Sequence, residues 1–432
     1  MNPRKPRAKK IITVSLLFAA QLFVFMIRYA FSVVAPALMA MDHLSPQTMG
    51  YILSGWNWSY TAGLVFVGAV VDRFGPWMVM GLGSVVWGVS TVALPLASTA
   101  GSLFLLRLIF GFGHSMLIPA GASAISSAYT VKERTRAVAI AFSGNQVGLA
   151  ICAMLAAALL AHFGWQSVFY SIGGASLVFT AAWFVFYPEK RAGTRPPRTG
   201  RKDLSEGPGR REAPWLSLFR YRSTWGIAFG QMGYLYAYFF FVSWLPGYLV
   251  LDRKMTLLES GLASALPFWA GMAGTLGGGW LADHLVERGA RTVASRKSII
   301  GSGLTASTVL VVATAYARQD WLAVALLTLC VFSLRLVTSS VNSLPIDLAP
   351  PGAVGSLASI QNVFASIGGL LAPIVTGKLV MATGSFAMAL VTAGGMALFG
   401  AVCYVFLLGN PDREARTPAA VRLGRADQGS RG

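Results

Sequence analysis

The sequence predicts an all-helical integral membrane protein with twelve transmembrane helices in two six-helix halves. Three observations carry that prediction. The 432 residues are 55% hydrophobic and 12% charged, with a mean hydropathy of +0.60, too apolar for a soluble chain of this length. Mostly apolar stretches of about twenty residues or more, each long enough to cross a bilayer as a helix, recur from end to end. The basic residues give a net charge of +19 but sit in tails and short loops, which is the pattern of membrane topology rather than of nucleic-acid binding.

The first span, 12–40, follows a basic segment (Arg4, Lys5, Arg7, Lys9, Lys10). The charge pattern is that of a signal peptide, but the apolar run continues past Pro36 without a small-residue cleavage site, so it is read as a retained helix. The next five spans are 47–71, 77–97, 101–129, 134–161 and 165–187, and the last six are 223–250, 256–285, 296–316, 320–348, 352–381 and 385–408. Between the sets runs a polar linker, Glu189 to Arg222, rich in arginine and proline and unable to build a core. The expected division is therefore an N-terminal half over 1–188, a linker over 189–222, a C-terminal half over 223–408 and a tail over 409–432.

Loop charges set the orientation. Arg73 follows span two, Lys132, Arg134 and Arg136 follow span four, and Arg288, Arg291, Arg296 and Lys297 follow span eight; the loops after spans one, three and five have no lysine or arginine. The positive-inside rule then places both termini and the linker in the cytoplasm of a plasma-membrane protein. Arg253 and Lys254, after span seven, are the exception. Asp42, His43, Asp252 and Asp320 fall at outer ends and Asp347 at an inner end, as caps or gate residues. Cys152, Cys330 and Cys403 lie singly in apolar runs and the four histidines are scattered, so neither a metal site, a cofactor nor a disulfide framework is expected. Paired carboxylates, a nucleophile–base set and a phosphate-binding glycine loop are missing, which speaks against an enzyme.

The chain repeats weakly. Gly68-Ala-Val-Val-Asp72-Arg73-Phe-Gly75 follows span two and Gly279-Trp-Leu-Ala-Asp283 follows span eight, each with glycine four residues before aspartate. Two parallel six-helix halves place these segments equivalently. The glycine permits close helix packing, and the aspartate is able to cap a helix or pair with arginine.

Charge inside the apolar spans is the functional signal. Arg107 and His114 are seven residues apart, about two helical turns, so they share a face. Gly111 and Gly113 allow close approach of another helix, and Pro119 loosens the helix beyond them. A fixed charge in such a span usually lines a cavity; the alternative for Arg107 is snorkelling to headgroups. Arg335 stands in span ten, within Leu334-Arg-Leu-Val-Thr338. With Arg28 and Arg107 it leaves up to three charges without a mid-span acid, a field that favours anions, dianions or a phosphate ester. Pairing with helix-end carbonyls, or a lipid-facing place near an interface, is its alternative. Among the many aromatics, Tyr234 and Tyr238 share a face and are able to line a cavity, though packing is the main expectation for each.

Gly68, Asp72, Arg73 and Gly75 resemble the loop-two motif of the major facilitator superfamily, whose members use it in the cytoplasmic gate; Pro76 and Trp77 replace the basic residues usual there. Asp283 is its counterpart in the second half. Met49-Gly-Tyr51 with Trp58 and Tyr60, Arg107 to Pro119, Lys132-Glu133-Arg134, Trp244-Leu-Pro246-Gly-Tyr248, Leu348-Ala-Pro350 and Gln361-Asn362 resemble the anion:cation symporter family, in particular bacterial sugar-acid transporters of the galactonate, hexuronate and glucarate kind. The resemblance implies alternating-access transport of a small organic carboxylate, often with protons, by a chain that commonly works as a monomer in the bilayer. It implies substrate contacts at Arg28, Tyr60, Arg107 and Asn362, and at Asn145 or its neighbour Gln146, where relatives tend to carry glutamine. The family's proton carriers fall at Ile27 and His114, and neither is an acid. Histidine titrates near neutral pH, so His114 is the candidate proton site; a neutral imidazole acting only as a hydrogen-bond donor, and a plain core histidine, are the alternatives. Without the acids, anion exchange or uniport of dicarboxylates or organophosphates stays open. A multidrug exporter normally has a membrane-embedded acid, and a solute sensor would need a signalling domain that the tails do not resemble.

Overall fold

The computed structural model describes residues 4–41, 43–188, 215–289, 291–350 and 353–409. Asp42, most of the linker and the tail beyond 409 lie outside them. Thirteen α-helices are described, together with short 3-10 and π turns, and they make twelve spans.

In the first half these are α1 (Arg4–Met41), α2 (Pro46–Val92), α3 (Ala100–Ser115), α4 (Leu117–Ala128), α5 (Val131–Phe163) and α6 (Trp165–Phe186). In the second they are α7 (Arg222–Gly247), α8 (Leu257–Glu287), α9 (Thr292–Tyr316), α10 (Asp320–Leu336), α11 (Thr338–Leu348), α12 (Val354–Thr383) and α13 (Ala387–Val402). α2 supplies two spans because Gly75, at φ 78 and ψ 163 and followed by Pro76, turns the chain back. Only glycine takes that φ without strain, and proline cannot continue the helix, so the loop-two motif is a hinge between two antiparallel spans. Ten stretches are long and apolar enough to cross a membrane, one of them this double one. α8 is 31 residues long and completes the twelve; its glycines and serines hold its hydropathy below that of the others.

The fourth and tenth spans are both broken. α3 ends at Ser115 and α4 starts at Leu117, because Pro119 has no N–H for the Ser115 carbonyl. The second break falls at Val337, between α10 and α11, with no proline nearby.

Within the halves α1 packs on α5, α2 on α3, α7 on α12 and α8 on α10; across them α5 packs on α8, α2 on α12 and α1 on α7. The cross-half contacts are closest at the end of the bundle opposite the N-terminus. A Cβ on Gly50 would meet the Pro373 carbonyl, one on Gly377 the Pro46 carbonyl, and one on Gly261 the Ala153 carbonyl and Ala157. Backbones approach this closely only where side chains are absent. Asn57 adds a hydrogen bond from Nδ2 to the Ser366 carbonyl, 2.7 Å. At the N-terminal end the halves diverge: α4 and α11 pack chiefly within their own halves, and Asp72, Arg73, Asp283 and Asn362 are exposed.

Ion pairs at that end hold each half together rather than joining the two. Lys10 pairs with Glu133 at 2.6 Å and Arg296 with Asp347 at 2.5 Å. The Lys10 ammonium, with Thr130, holds the Glu133 carboxyl at about 2, well below the ordinary range. The clamp is therefore fully formed above about pH 4.5 and is lost as pH falls toward 2. Arg73 lies against Phe74, 5.4 Å from its ring centre. The described ion pairs include none from Asp72 or Asp283, since the splayed end leaves both facing water.

Arg253, the exception to the loop-charge rule, has a structural task. It donates to the Tyr248 hydroxyl and the Ala317 carbonyl at 2.6 Å each and to the Thr314 carbonyl at 3.2 Å, with Asp320 at 3.7 Å. A cation satisfying the last carbonyls of α9 is a favourable helix C-terminus. Arg253→Ala is expected to lower the melting temperature of the purified protein by several degrees, since charged hydrogen bonds contribute about 1.5–3 kcal/mol each; an unchanged melt refutes the assignment. Asp252 caps α13 across the same end, accepting from the Phe386 amide at 3.1 Å.

Candidate functional site

Two groups of polar side chains meet in the middle of the bundle. α1 carries Arg28, α2 Trp56 and Tyr60, and α3 Arg107 and His114. Arg107 is 1% exposed. Its Nη2 donates to the Leu53 carbonyl at 3.2 Å, while Nε and Nη1 find no acceptor within the protein. Gly55 and Gly111 admit it: a Cβ on Gly55 would press on Arg107 and Phe104, and one on Gly111 on the Trp56 carbonyl. Arg28, 4% exposed, lies 4.0 Å over the Trp56 ring, 4.3 Å over Phe239 and 5.2 Å over Phe25, with Nη2 unpartnered.

Aromatic faces thus do for these arginines what carboxylates do elsewhere. A desolvated cation–π contact contributes about 2 kcal/mol, which offsets part of the several kcal/mol that burying a charge costs. The unsatisfied N–H groups remain costly, and an anion's oxygens are the acceptors that suit them. His114, 3% exposed, sits among the rings of Tyr60 (4.7 Å), Trp56 (5.6 Å), Phe110 (5.9 Å) and Phe25 (6.2 Å), with Nδ1 unpartnered. The heptad spacing read from the sequence does put Arg107 and His114 on one buried face.

The second group joins the halves. Arg335, half-buried, donates from Nη1 to the Tyr234 hydroxyl at 3.3 Å and lies 4.9 Å over the Tyr238 ring. Tyr234 also meets Thr338 at 2.9 Å, and Tyr238 donates to Gln146 Oε1 at 2.9 Å. Arg335 therefore binds tyrosines at the half interface, not helix-end carbonyls or lipid, and the two tyrosines do polar work beyond packing. Asn145 is half-buried with its Oδ1 unpartnered; one position from Gln146, it points about 100° away. No hydrogen bond or ring contact described joins Asn362 to either group. Asn362 is exposed, donates to the Ala358 carbonyl at 2.9 Å, and lies one turn from Ser366, whose carbonyl accepts from Asn57. Among the described residues every aspartate and glutamate lies at or near a helix end or the Gly75 bend, and no cluster suited to a metal is found.

Sequence reasoning missed the shelf of Trp56, Phe239, Phe25 and Phe31, the last 4.7 Å from Arg107. The i, i+4 pair Trp56–Tyr60, one turn apart and opposite an arginine helix, was the available signal. Trp58, two residues on, is half exposed.

Residues 17–373 match the family model described as Major Facilitator Superfamily. A probable L-galactonate transporter of Escherichia coli is 30% identical over 96% of this chain and 93% of its own. A probable sulfoacetate transporter of Cupriavidus necator is 29% identical over 90% and 92%. Among solved structures, a bacterial homologue of the human lysosomal transporter Spinster superposes with a TM-score of 0.71 at 16% identity, over 99% of this chain and 98% of that one; this likeness is one of fold.

Proposed function

The chain belongs to the Major Facilitator Superfamily and is a multi-pass membrane transporter rather than an enzyme; from that premise we propose that it carries a small organic anion, a sugar acid or other carboxylate, across the plasma membrane. The observation that carries this reading is the pair Arg28 and Arg107, buried on aromatic faces with guanidinium nitrogens that find no acceptor in the protein. A carboxylate between them supplies oxygens to both, while Tyr60, Asn145, Gln146 and Asn362 offer hydroxyl and amide groups to the rest of the substrate. Residues 1–188 and 223–408 form the two halves that rock about this site. With both termini cytoplasmic, the divergent end is the cytoplasmic one, and Gly68, Asp72, Arg73, Gly75 and Asp283 belong to the gate that closes it. The carrier works as a monomer.

Uptake is proton-coupled in this reading, with His114 as the group that exchanges the proton. The test is uptake of labelled sugar acids, dicarboxylates and phosphate esters into proteoliposomes, with and without an inward proton gradient. Accumulation that needs external acid, and loses that need in His114→Gln, supports it. Transport that is indifferent to the gradient but requires an anion inside replaces it with exchange. The helix-end placement of every described acid favours exchange as the second reading.

A further inference from the structure

The breaks in the fourth and tenth spans give His114 and Arg335 matching positions in the two halves. Each stands two residues before the break in its span, at Met116 in the fourth and at Val337 in the tenth. Where the first half has an imidazole, the second has a permanent cation.

The surroundings of Arg335 are built for an acceptor. Its Nε is buried without a partner. Gln146, from the other half, is 4% exposed. Its Oε1 takes the Tyr238 hydroxyl, which turns Nε2 the other way, and Nε2 is also without a partner. Both side chains border Gly271: a Cβ there would stand 2.8 Å from Gln146 Nε2 and 3.1 Å from Arg335 Cγ. Two unsatisfied donors from opposite halves thus come together against the bare backbone of Gly271, where a side chain would displace them. A buried donor without an acceptor is unfavourable, and the described acids, which lie at helix ends, do not supply one.

This pair of donors is distinct from the first cationic group. Arg28 lies on Phe239 at 4.3 Å, Arg335 on Tyr238 at 4.9 Å, and those two rings are 6.0 Å apart. Adjacent rings of α7 therefore carry one cation each. A ligand reaching both would present one anionic group to each cation and would bridge the two halves.

We propose that Arg335, Gln146 and Gly271 form a second anion pocket, so that the carrier selects substrates with an anionic group at each end over singly charged ones of the same length. The proposal rests on the reading that Arg28 and Arg107 hold the first carboxylate.

The test is equilibrium binding to the purified full-length protein of matched straight-chain acids. Within each pair, one member ends in a second carboxylate and the other in a hydroxymethyl group. The wild-type protein is expected to bind one dicarboxylate at least about tenfold more tightly than its partner. Arg335→Gln is expected to bring that ratio near one, Arg335→Lys to keep part of it, and Gly271→Ala, whose methyl group would push Gln146 and Arg335 out of place, to reduce it. A general loss of structure lowers both affinities and leaves the ratio alone; where Arg335→Gln fails to fold, the lysine and Gly271 variants carry the test. An unchanged ratio in the Arg335 and Gly271 variants, or a wild-type preference for the monoacid, overturns the second pocket. Loss of both ligands in Arg107→Gln at the same time leaves the first site standing. Wild-type binding of neither acid, or normal binding of both by Arg107→Gln, overturns both readings.

Discussion

Replacing Arg107 with glutamine is expected to reduce uptake of the transported anion by about a hundredfold or more, with the protein still reaching the membrane in normal amount. Removing one partner of a desolvated, hydrogen-bonded charge pair costs about 2–5 kcal/mol, and each 1.4 kcal/mol is tenfold. The protein itself loses little by the change. Arg107 makes one backbone hydrogen bond, to Leu53 at 3.2 Å, and leaves Nε and Nη1 unsatisfied, so glutamine removes unsatisfied donors as well as a charge. Uptake and melting temperature should therefore separate: transport collapses while stability holds or rises. Lysine in place of arginine should restore little, because it offers a point charge and no planar fork for a carboxylate. Near-normal uptake by Arg107→Gln in proteoliposomes ends the case for the site.

The pairing of Arg107 with His114 was legible because helical periodicity is local and both residues are rare in apolar spans. The boundary between spans two and three was legible for the same reason, though not that Gly75 makes the turn. Contacts between the halves were not. Asn57 meets the Ser366 carbonyl across 309 residues and Tyr238 meets Gln146 across 92, and no local pattern encodes such separations. The break at Val337 has no proline to announce it; only its likeness to the break at Met116 explains it. Aromatic side chains were the least legible. Lipid and protein interior are both apolar, so hydropathy treats Trp56 and Trp58 alike, yet Trp56 supports Arg28 at 4.0 Å and Trp58 is half exposed. The loop-two motif was visible in its residues, but whether its charges pair depends on which end of the bundle is closed.

Gly111→Ala is expected to be the most destabilising single-methyl change near the site. A Cβ at Gly111 would overlap the Trp56 carbonyl and the Ser59 hydroxyl. Neither is free to retreat: Ser59 donates to the Leu108 carbonyl at 2.5 Å and to the Trp56 carbonyl at 3.3 Å, tying α2 to α3. Overpacking typically costs about 1–3 kcal/mol, and a clash with backbone rather than a flexible side chain belongs at the upper end. Relief comes only by moving α2 off α3, which carries the Trp56 ring away from Arg28 and Tyr60 away from His114. Stability and uptake should then fall together, unlike in the Arg107 variant. Gly277→Ala is the control, because a Cβ there meets nothing within 4 Å and alanine favours a helix by up to about 1 kcal/mol; its melting temperature should stay level or rise. Equal melting of the two alanine variants contradicts the close approach at Gly111, and with it the account of how an apolar span holds Arg107 against α2.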